Sequence, residues 1–200
     1  IRDTFSSRGL EMCIRDSFVA NSAFKIWLIS SKMQTGINHI LTDSFGREHN
    51  YLRISLTEKC NLRCVYCMPE EGVALTPREH LMTAQEIEKI ASVFTKLGVN
   101  KIRLTGGEPL VRKDAADIIE RLSCLPVSMA ITTNAILLDR YVDVFKKAGL
   151  RSINVSLDTL KEERFQQITK RSYFKKTLDN IDLMIAQGFH FRQQEPDTRQ

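Results

Sequence analysis

The feature that most constrains the fold is a strand pattern followed by a helix pattern, repeated four times along the chain. In the first strand pattern, YLRISLT at 51–57, apolar and polar residues alternate, which is typical of a β-strand. The other strand patterns are NKIRLT at 100–105, VSMAITT at 127–133 and RSINVSL at 151–157. Because strands that alternate with helices usually pair in parallel, this order predicts an α/β fold.

The helix patterns have recognisable ends. In TAQEIEKIASVFTKLG, Thr83 is suited to cap a helix with Glu86 three residues on, and Gly98 is suited to end it. Further helices are predicted at 112–122, at 138–149 and within 161–187. Polar or reactive residues stand at or just after the end of each strand pattern. We therefore expect the chemistry at the carboxyl edge of the sheet.

Composition excludes some classes of partner. The 200 residues carry 29 Lys and Arg against 24 Asp and Glu, and this net charge of +5 suits an anionic small molecule as well as a nucleic acid. The sequence has no basic run with interleaved aromatic residues, so no nucleic-acid partner is expected. No run of 18 apolar residues occurs, so no membrane partner is expected either.

The segment SLTEKCNLRCVYCMPEE contains three of the five cysteines, Cys60, Cys64 and Cys67, spaced C-x3-C-x2-C. An odd number of cysteines with a tight triplet indicates metal chemistry in a reducing compartment. Structural zinc usually needs a second ligand pair, which the sequence does not offer; zinc and a redox C-x2-C remain alternatives. A 4Fe–4S cluster held by three thiolates keeps one iron open for another ligand, and we favour this interpretation.

The next strand pattern runs into TGGEP. Gly106 and Gly107 permit a close approach of the backbone to a ligand, and the carboxylate of Glu108 is able to hold an ammonium group. The alternative is a tight turn between strand and helix, with Glu108 as a capping residue.

With Tyr66 directly before the last cysteine of the triplet, these motifs resemble the radical S-adenosylmethionine (SAM) superfamily. The resemblance implies that Cys60, Cys64 and Cys67 hold a 4Fe–4S cluster whose open iron binds SAM. It also implies that SAM is cleaved to methionine and a 5′-deoxyadenosyl radical. The implied SAM-binding residues are Tyr66, Gly106, Gly107, Glu108 and Ser156.

Within that superfamily, the segments 41–72, 101–114, 132–138 and 148–160 resemble the GTP 3′,8-cyclases of molybdenum cofactor biosynthesis, the eukaryotic form in particular. The resemblance implies a lyase that converts GTP to 3′,8-cyclo-7,8-dihydroguanosine 5′-triphosphate, with no catalytic side chain assigned. The implied substrate-binding residues are Arg53, Arg103 and Thr132.

The same resemblance implies partners and a location. The partners are GTP, an electron donor that reduces the cluster, and a downstream cyclic pyranopterin monophosphate synthase that acts on the product. A homodimer is expected from the family. The implied location is the mitochondrial matrix in a eukaryote and the cytoplasm in a bacterium. The resemblance to the eukaryotic form favours the mitochondrial matrix.

The sequence departs from that family in several places. The family's second 4Fe–4S cluster has its ligands near the C-terminus, in a C-x2-C pair and a later cysteine, and none of those particular cysteines is in this chain. We therefore expect an incomplete (β/α)6 partial TIM barrel of radical SAM type, with about four β/α units. Ala135 stands where the family usually has glycine, so a positive φ there is unfavourable for this residue.

Three ranges are distinguished in the chain. Residues 1–33 read as a non-native or targeting segment and are expected to be disordered, and 34–188 form the radical SAM core. The polar tail 189–200, unlike any strand and with Arg192 where the family has lysine, indicates a frameshift or truncation. We expect this chain to be poorly soluble or molten, able at most to assemble the first cluster and unable to cyclise GTP. The alternatives are another radical SAM enzyme of the peptide-maturase type or a non-catalytic metal-binding fragment.

Overall fold

A single parallel sheet of six strands forms the centre of the molecule. The computed structural model describes residues 11–14, 41–67 and 75–193. The strands follow the order of the chain, so that each pairs with the next in sequence. They are β1 Glu11–Ile14, β2 Tyr51–Ser55, β3 Lys101–Thr105, β4 Ser128–Thr133, β5 Ser152–Val155 and β6 His190–Gln193.

Helices connect the strands from β2 onward, which confirms the predicted α/β alternation. They are α1 Ala84–Lys96, α2 Ala115–Ser123, α3 Val142–Lys147, α4 Glu162–Thr169 and α5 Phe174–Ala186, with short 3-10 turns at Arg78–His80, Pro109–Val111 and Leu138–Arg140. The predicted cap of α1 is present, because the Thr83 hydroxyl accepts from the Glu86 N–H and the Glu86 carboxylate accepts from the Thr83 N–H. The helix predicted at 138–149 is divided into a 3-10 turn and α3.

The two faces of the sheet differ in character. Alternate strand residues are buried in one hydrophobic core with the helices, among them Leu52, Ile54, Ile102, Leu104, Ile131, Ile153 and Val155. Except for the buried Ala130, the residues between them are polar and form what we call the polar face: Tyr51, Arg53, Ser55, Lys101, Arg103, Thr105, Ser128, Thr132, Ser152 and Asn154. Since side chains alternate along a strand, the apolar residues face the helices and the polar residues lie on the opposite face of the sheet.

Both outer strands lie in segments for which no strand was expected. Glu11–Ile14 pairs in parallel with β2, although residues 1–33 were expected to lie outside the radical SAM core. His190–Gln193 pairs in parallel with β5, so the expectation that the tail is unlike any strand is wrong for these residues. Backbone pairing along an open sheet edge satisfies N–H and C=O groups whatever the side chains are, which is why a polar segment adds a strand here.

The divisions of the chain at residues 33 and 188 stay predictions, and 194–200 lie outside the described residues. Among the helices that the structure describes, none is both long and apolar enough to cross a membrane.

Candidate active site

The cysteine loop, residues 56–67, leaves the carboxyl end of β2 and is held against the end of α4. The N–H of Arg63 donates to the carbonyl of Thr169 at 3.0 Å, and the N–H of Val65 donates to the carbonyl of Ile168 at 3.0 Å. The guanidinium of Arg63 donates to the Cys60 carbonyl at 2.7 Å. These bonds give the loop a defined path beside the sheet edge.

The three predicted metal ligands lie on this loop as free thiols, half-buried at Cys60 and Cys64 and exposed at Cys67. Burial raises the pKa of Cys60 and of Cys64, and the charges of neighbouring thiols raise it further. The Sγ of Cys60 accepts from the Leu62 N–H at 3.4 Å. In the part of the chain that the structure describes, no three His, Cys, Asp or Glu side chains converge closely enough to hold a metal ion.

The donor set nevertheless fits an iron–sulfur cluster. Such clusters are held by cysteine thiolates, and N–H donors to the ligand sulfurs are among the groups that tune them. Three thiols on one loop, close enough to affect one another's pKa, with a backbone N–H already directed at one sulfur, provide both features.

The glycine turn, residues 105–109, packs directly on the cysteine loop. The N–H of Gly107 donates to the Thr57 carbonyl at 2.6 Å, and the N–H of Glu108 donates to the Lys59 carbonyl at 2.8 Å. A Cβ atom at Gly106 would lie 2.5 Å from the Thr57 carbonyl oxygen, and one at Gly107 would lie 2.5 Å from that of Glu58. The close backbone approach that requires these glycines is therefore to the cysteine loop, while their contact with SAM stays a prediction.

The side chain of Glu108 is directed into the protein and is only 1% exposed. Its carboxylate accepts from the Thr133 hydroxyl at 2.8 Å, from the Asn134 N–H at 2.7 Å and from the Leu110 N–H at 3.1 Å. Burial raises the pKa of Glu108 to about 7, against the effect of these three donors. The structure shows the capping role that the sequence left as the alternative; the contact of Glu108 with SAM stays a prediction.

Asn134 is a site residue to which the sequence analysis assigned no role. Its side-chain Nδ2 donates to Oδ1 of Asn61 at 2.7 Å and lies 3.8 Å from Sγ of Cys60. The residue follows β4 directly and is 7% exposed. A polar residue directly after a buried strand was the available signal, but its partners lie far away in the sequence.

Two of the predicted SAM-binding residues are connected to the segment that follows β5. Tyr66 is 68% exposed, and its hydroxyl donates to the Asp158 carboxylate at 2.8 Å. Partial burial and this hydrogen bond raise the pKa of Tyr66. Ser156, two residues before Asp158, is half-buried and bonded through its N–H to the Thr133 carbonyl at 3.0 Å. The cysteine loop and the end of β5 are therefore linked.

On the polar face, the structure brings together Arg103 and Thr132, which were predicted to bind the substrate. The Arg103 guanidinium donates to the Thr132 hydroxyl at 3.2 Å and to the hydroxyl of Tyr51. Arg53 lies opposite Arg103 in the pairing of β2 with β3. On β5, the buried Oδ1 of Asn154 has no hydrogen-bond partner among the described residues. This face therefore offers cationic donors for an anion and one acceptor for a hydroxyl or amine.

The fold and the site define a class: an α/β protein with a thiol-rich loop at the carboxyl edge of its strands and a basic polar face beside that loop. The Radical SAM superfamily model matches residues 54–192, and the chain belongs to that family.

Curated relatives are considerably longer than this chain. It is 51% identical over 154 residues to "Molybdenum cofactor biosynthesis protein 1" of Drosophila melanogaster, covering 76% of this chain and 27% of that protein. It is 50% identical over 156 residues to "GTP 3',8-cyclase, mitochondrial" of Arabidopsis thaliana, covering 77% of this chain and 40% of that protein. The chain thus spans about a quarter of the first relative's length and two fifths of the second's.

A solved structure with a similar fold is that of SuiB from Streptococcus suis. The TM-score is 0.65 at 19% identity, covering 92% of this chain and 40% of SuiB. This likeness concerns the fold alone, and it agrees with the predicted partial barrel of radical SAM type.

Proposed function

We propose that this chain is the SAM-cleaving portion of a GTP 3′,8-cyclase, the enzyme that begins molybdenum cofactor biosynthesis. The observation that supports it is that the cysteine loop is bonded to the glycine turn, and this turn follows β3, the strand that carries Arg103 with its bond to Thr132. A radical generated at the loop would therefore arise next to a face suited to an anionic substrate. The identity of about 50% with relatives named for this pathway supports the choice over a peptide maturase.

In this proposal Cys60, Cys64 and Cys67 hold a 4Fe–4S cluster and leave one iron for SAM. When bound, the cluster supplies one electron to cleave SAM and so start radical chemistry. The glycine turn fixes the position of the loop through its backbone. Tyr66, which donates to Asp158, and Ser156, which directly follows β5, contact SAM, as does the backbone of the glycine turn.

The polar face receives GTP. The planar guanidinium groups of Arg53 and Arg103 pair with phosphate oxygens and keep their charge, and Thr132 orients Arg103. The product is 3′,8-cyclo-7,8-dihydroguanosine 5′-triphosphate.

The remaining parts of the proposal concern the whole enzyme. They are a second 4Fe–4S cluster, an electron donor, a cyclic pyranopterin monophosphate synthase that takes the product, and a homodimer. The relative from Arabidopsis is named mitochondrial, which supports a location in the mitochondrial matrix for a eukaryotic protein. Fractionation of the source cells with an antibody against this chain tests the location.

Anaerobic reconstitution with iron and sulfide tests the proposed site. We expect about four irons per chain and, after reduction, an EPR signal that shifts when SAM is added. Cys60→Ala is expected to abolish iron uptake. The matched control is Cys124→Ala, which removes an exposed cysteine outside the loop and should leave the signal unchanged. Stoichiometric zinc without iron, or a signal that SAM does not shift, contradicts the proposal.

A further inference from the structure

We propose that Asn134 is a positioning residue for Cys60, whose side-chain N–H stabilises the thiolate and raises the reduction potential of the cluster. This inference rests on the proposed cluster at the three cysteines. It goes beyond that proposal because it assigns a role to a residue that is not a ligand and that touches neither SAM nor GTP in the proposed scheme.

The side chain of Asn134 has one permitted orientation. Its Oδ1 accepts from the Ile136 N–H at 3.1 Å, so the oxygen must face that backbone group. The Nδ2 therefore faces the cysteine loop, where it donates to Oδ1 of Asn61 at 2.7 Å and lies 3.8 Å from Sγ of Cys60. Because an acceptor and a donor are fixed on opposite sides, turning the amide over would break both bonds.

The backbone of Asn134 is fixed by Glu108. Oε2 of Glu108 accepts from the Asn134 N–H, and Oε1 accepts from the Thr133 hydroxyl. The Glu108 N–H in turn donates to Lys59, the residue before Cys60. One buried residue thus holds both partners, the cysteine loop through its backbone and Asn134 through its carboxylate.

The chain turns sharply after Asn134, since Ala135 has φ 68°. The N–H of Ala135 donates to the Thr133 hydroxyl at 3.1 Å, which closes the turn. The end of β4 is therefore held on both sides of Asn134.

The expected rise in reduction potential follows from the negative charge on the cysteine sulfur. Adding an electron to a cluster increases the negative charge on its thiolate ligands, so an N–H directed at such a sulfur stabilises the reduced form more than the oxidised form. The Leu62 N–H already donates to Cys60. A second donor from Asn134, in surroundings with little water, adds to the same effect.

The test uses the full chain with its reconstituted cluster and measures the midpoint potential by EPR-monitored redox titration. Asn134→Asp keeps the size of the side chain and the acceptor for Ile136, but it has no N–H to donate. At a fixed potential we expect the ratio of reduced to oxidised cluster to fall about tenfold, which is 59 mV for a one-electron couple. Asn134→Ala, which adds no charge, is expected to shift the potential in the same direction by less.

The matched control is Asn100→Ala, the same substitution at an exposed asparagine outside the site, and its potential should equal that of the unmodified chain. Iron content and the urea midpoint of each variant are measured alongside. Unchanged potentials in both Asn134 variants, at normal iron content, overturn the inference. If Asn134→Ala does not fold, Asn134→Leu, which is similar in size, uncharged and without an N–H, decides the question. Failure of the unmodified chain to take up iron contradicts the proposed cluster instead, so the two failures are distinguishable.

Discussion

The cysteine loop with its glycine turn and the polar face of the sheet are neighbouring regions that are held in different ways. The first is fixed by backbone hydrogen bonds, by two glycines that leave no room for a side chain, and by the buried carboxylate of Glu108. In the second, the backbone is fixed by strand pairing, and the functional side chains are held by side-chain bonds, such as that from Arg103 to Thr132. The contrast teaches that a group whose reactive atom must be placed accurately receives a rigid support, whereas a large flexible substrate receives side chains that adjust.

Gly107→Ala tests the rigid packing of the glycine turn on the cysteine loop and has the largest expected effect. The added Cβ would lie 2.5 Å from the Glu58 carbonyl oxygen and 2.6 Å from that of Lys59, and backbone cannot move aside as a side chain can. We expect the free energy of unfolding to fall by roughly 3 kcal/mol and iron uptake to be lost, because the cysteine loop is displaced. Urea unfolding and iron analysis after reconstitution measure both.

Gly98→Ala is the control for that substitution. Gly98 has φ 111°, but nothing lies within 4 Å of an added Cβ. The variant therefore has backbone strain without a steric clash. We expect its free energy of unfolding to fall by about 1 kcal/mol and its iron uptake to be normal. Equal losses in the two variants would show that the close packing of loop and turn does not matter.

The buried carboxylate of Glu108 makes the same region sensitive to pH. Burial raises its pKa to about 7 in the folded chain, from an ordinary value of 4.5. The folded chain therefore binds more protons than the unfolded chain between these values, and its stability is full below pH 4.5 and is lost as pH rises through 7. We expect the chain without cluster to be less stable at pH 8 than at pH 5, by roughly 3 kcal/mol at most.

Glu108→Gln removes this dependence and provides the check. The glutamine side chain has one oxygen, so its NH2 group faces one of the three donors that bond to Glu108. We expect the free energy of unfolding to fall by about 1–3 kcal/mol at pH 5. Urea midpoints of both chains at pH 5 and pH 8 give the comparison. A pH slope that persists in Glu108→Gln would assign the dependence to another group.

Arg103→Lys tests the polar face and is expected to have a smaller effect. Lysine keeps the charge but not the planar donors that reach Tyr51 and Thr132 together. We expect GTP to bind about tenfold more weakly, or about 1.4 kcal/mol, with iron uptake unchanged. Calorimetric titration with GTP measures it, and Arg164→Lys, an exposed arginine on α4, is the control. Unaltered GTP binding in Arg103→Lys would remove this face from the proposed substrate site.

The sequence predicted what local patterns determine. Alternation of apolar residues indicated strands β2 to β5, and Thr83 with Glu86 indicated the start of α1. The sequence indicated that a positive φ at Ala135, if the backbone required one, would be unfavourable, and φ there is 68°. The β6 strand was missed, because pairing with an open edge needs no apolar pattern.

The contacts of the site were hidden for a different reason. The partners of Gly107, Glu108 and Asn134 lie on other segments of the chain, and only the folded sheet brings them together. Local sequence could indicate that the glycines require close approach, but not that they approach the cysteine loop.

Two non-glycine residues among those that the structure describes have positive φ, and they provide the finest test of how tightly the rigid region is packed. Lys170, φ 54°, is exposed at the end of α4, and Ala135, φ 68°, is fully buried. Lys170→Gly relieves about 1–2 kcal/mol of backbone strain and loses about 0.4–1 kcal/mol through the unfolded chain, so we expect stabilisation of about 0.5 kcal/mol. Ala135→Gly also removes a buried methyl group, whose burial contributes about 0.8 kcal/mol to stability. We therefore expect almost no net change in the free energy of unfolding. Urea midpoints decide: equal stabilisation in both variants would mean that the methyl of Ala135 contributes nothing to packing beside the cysteine loop.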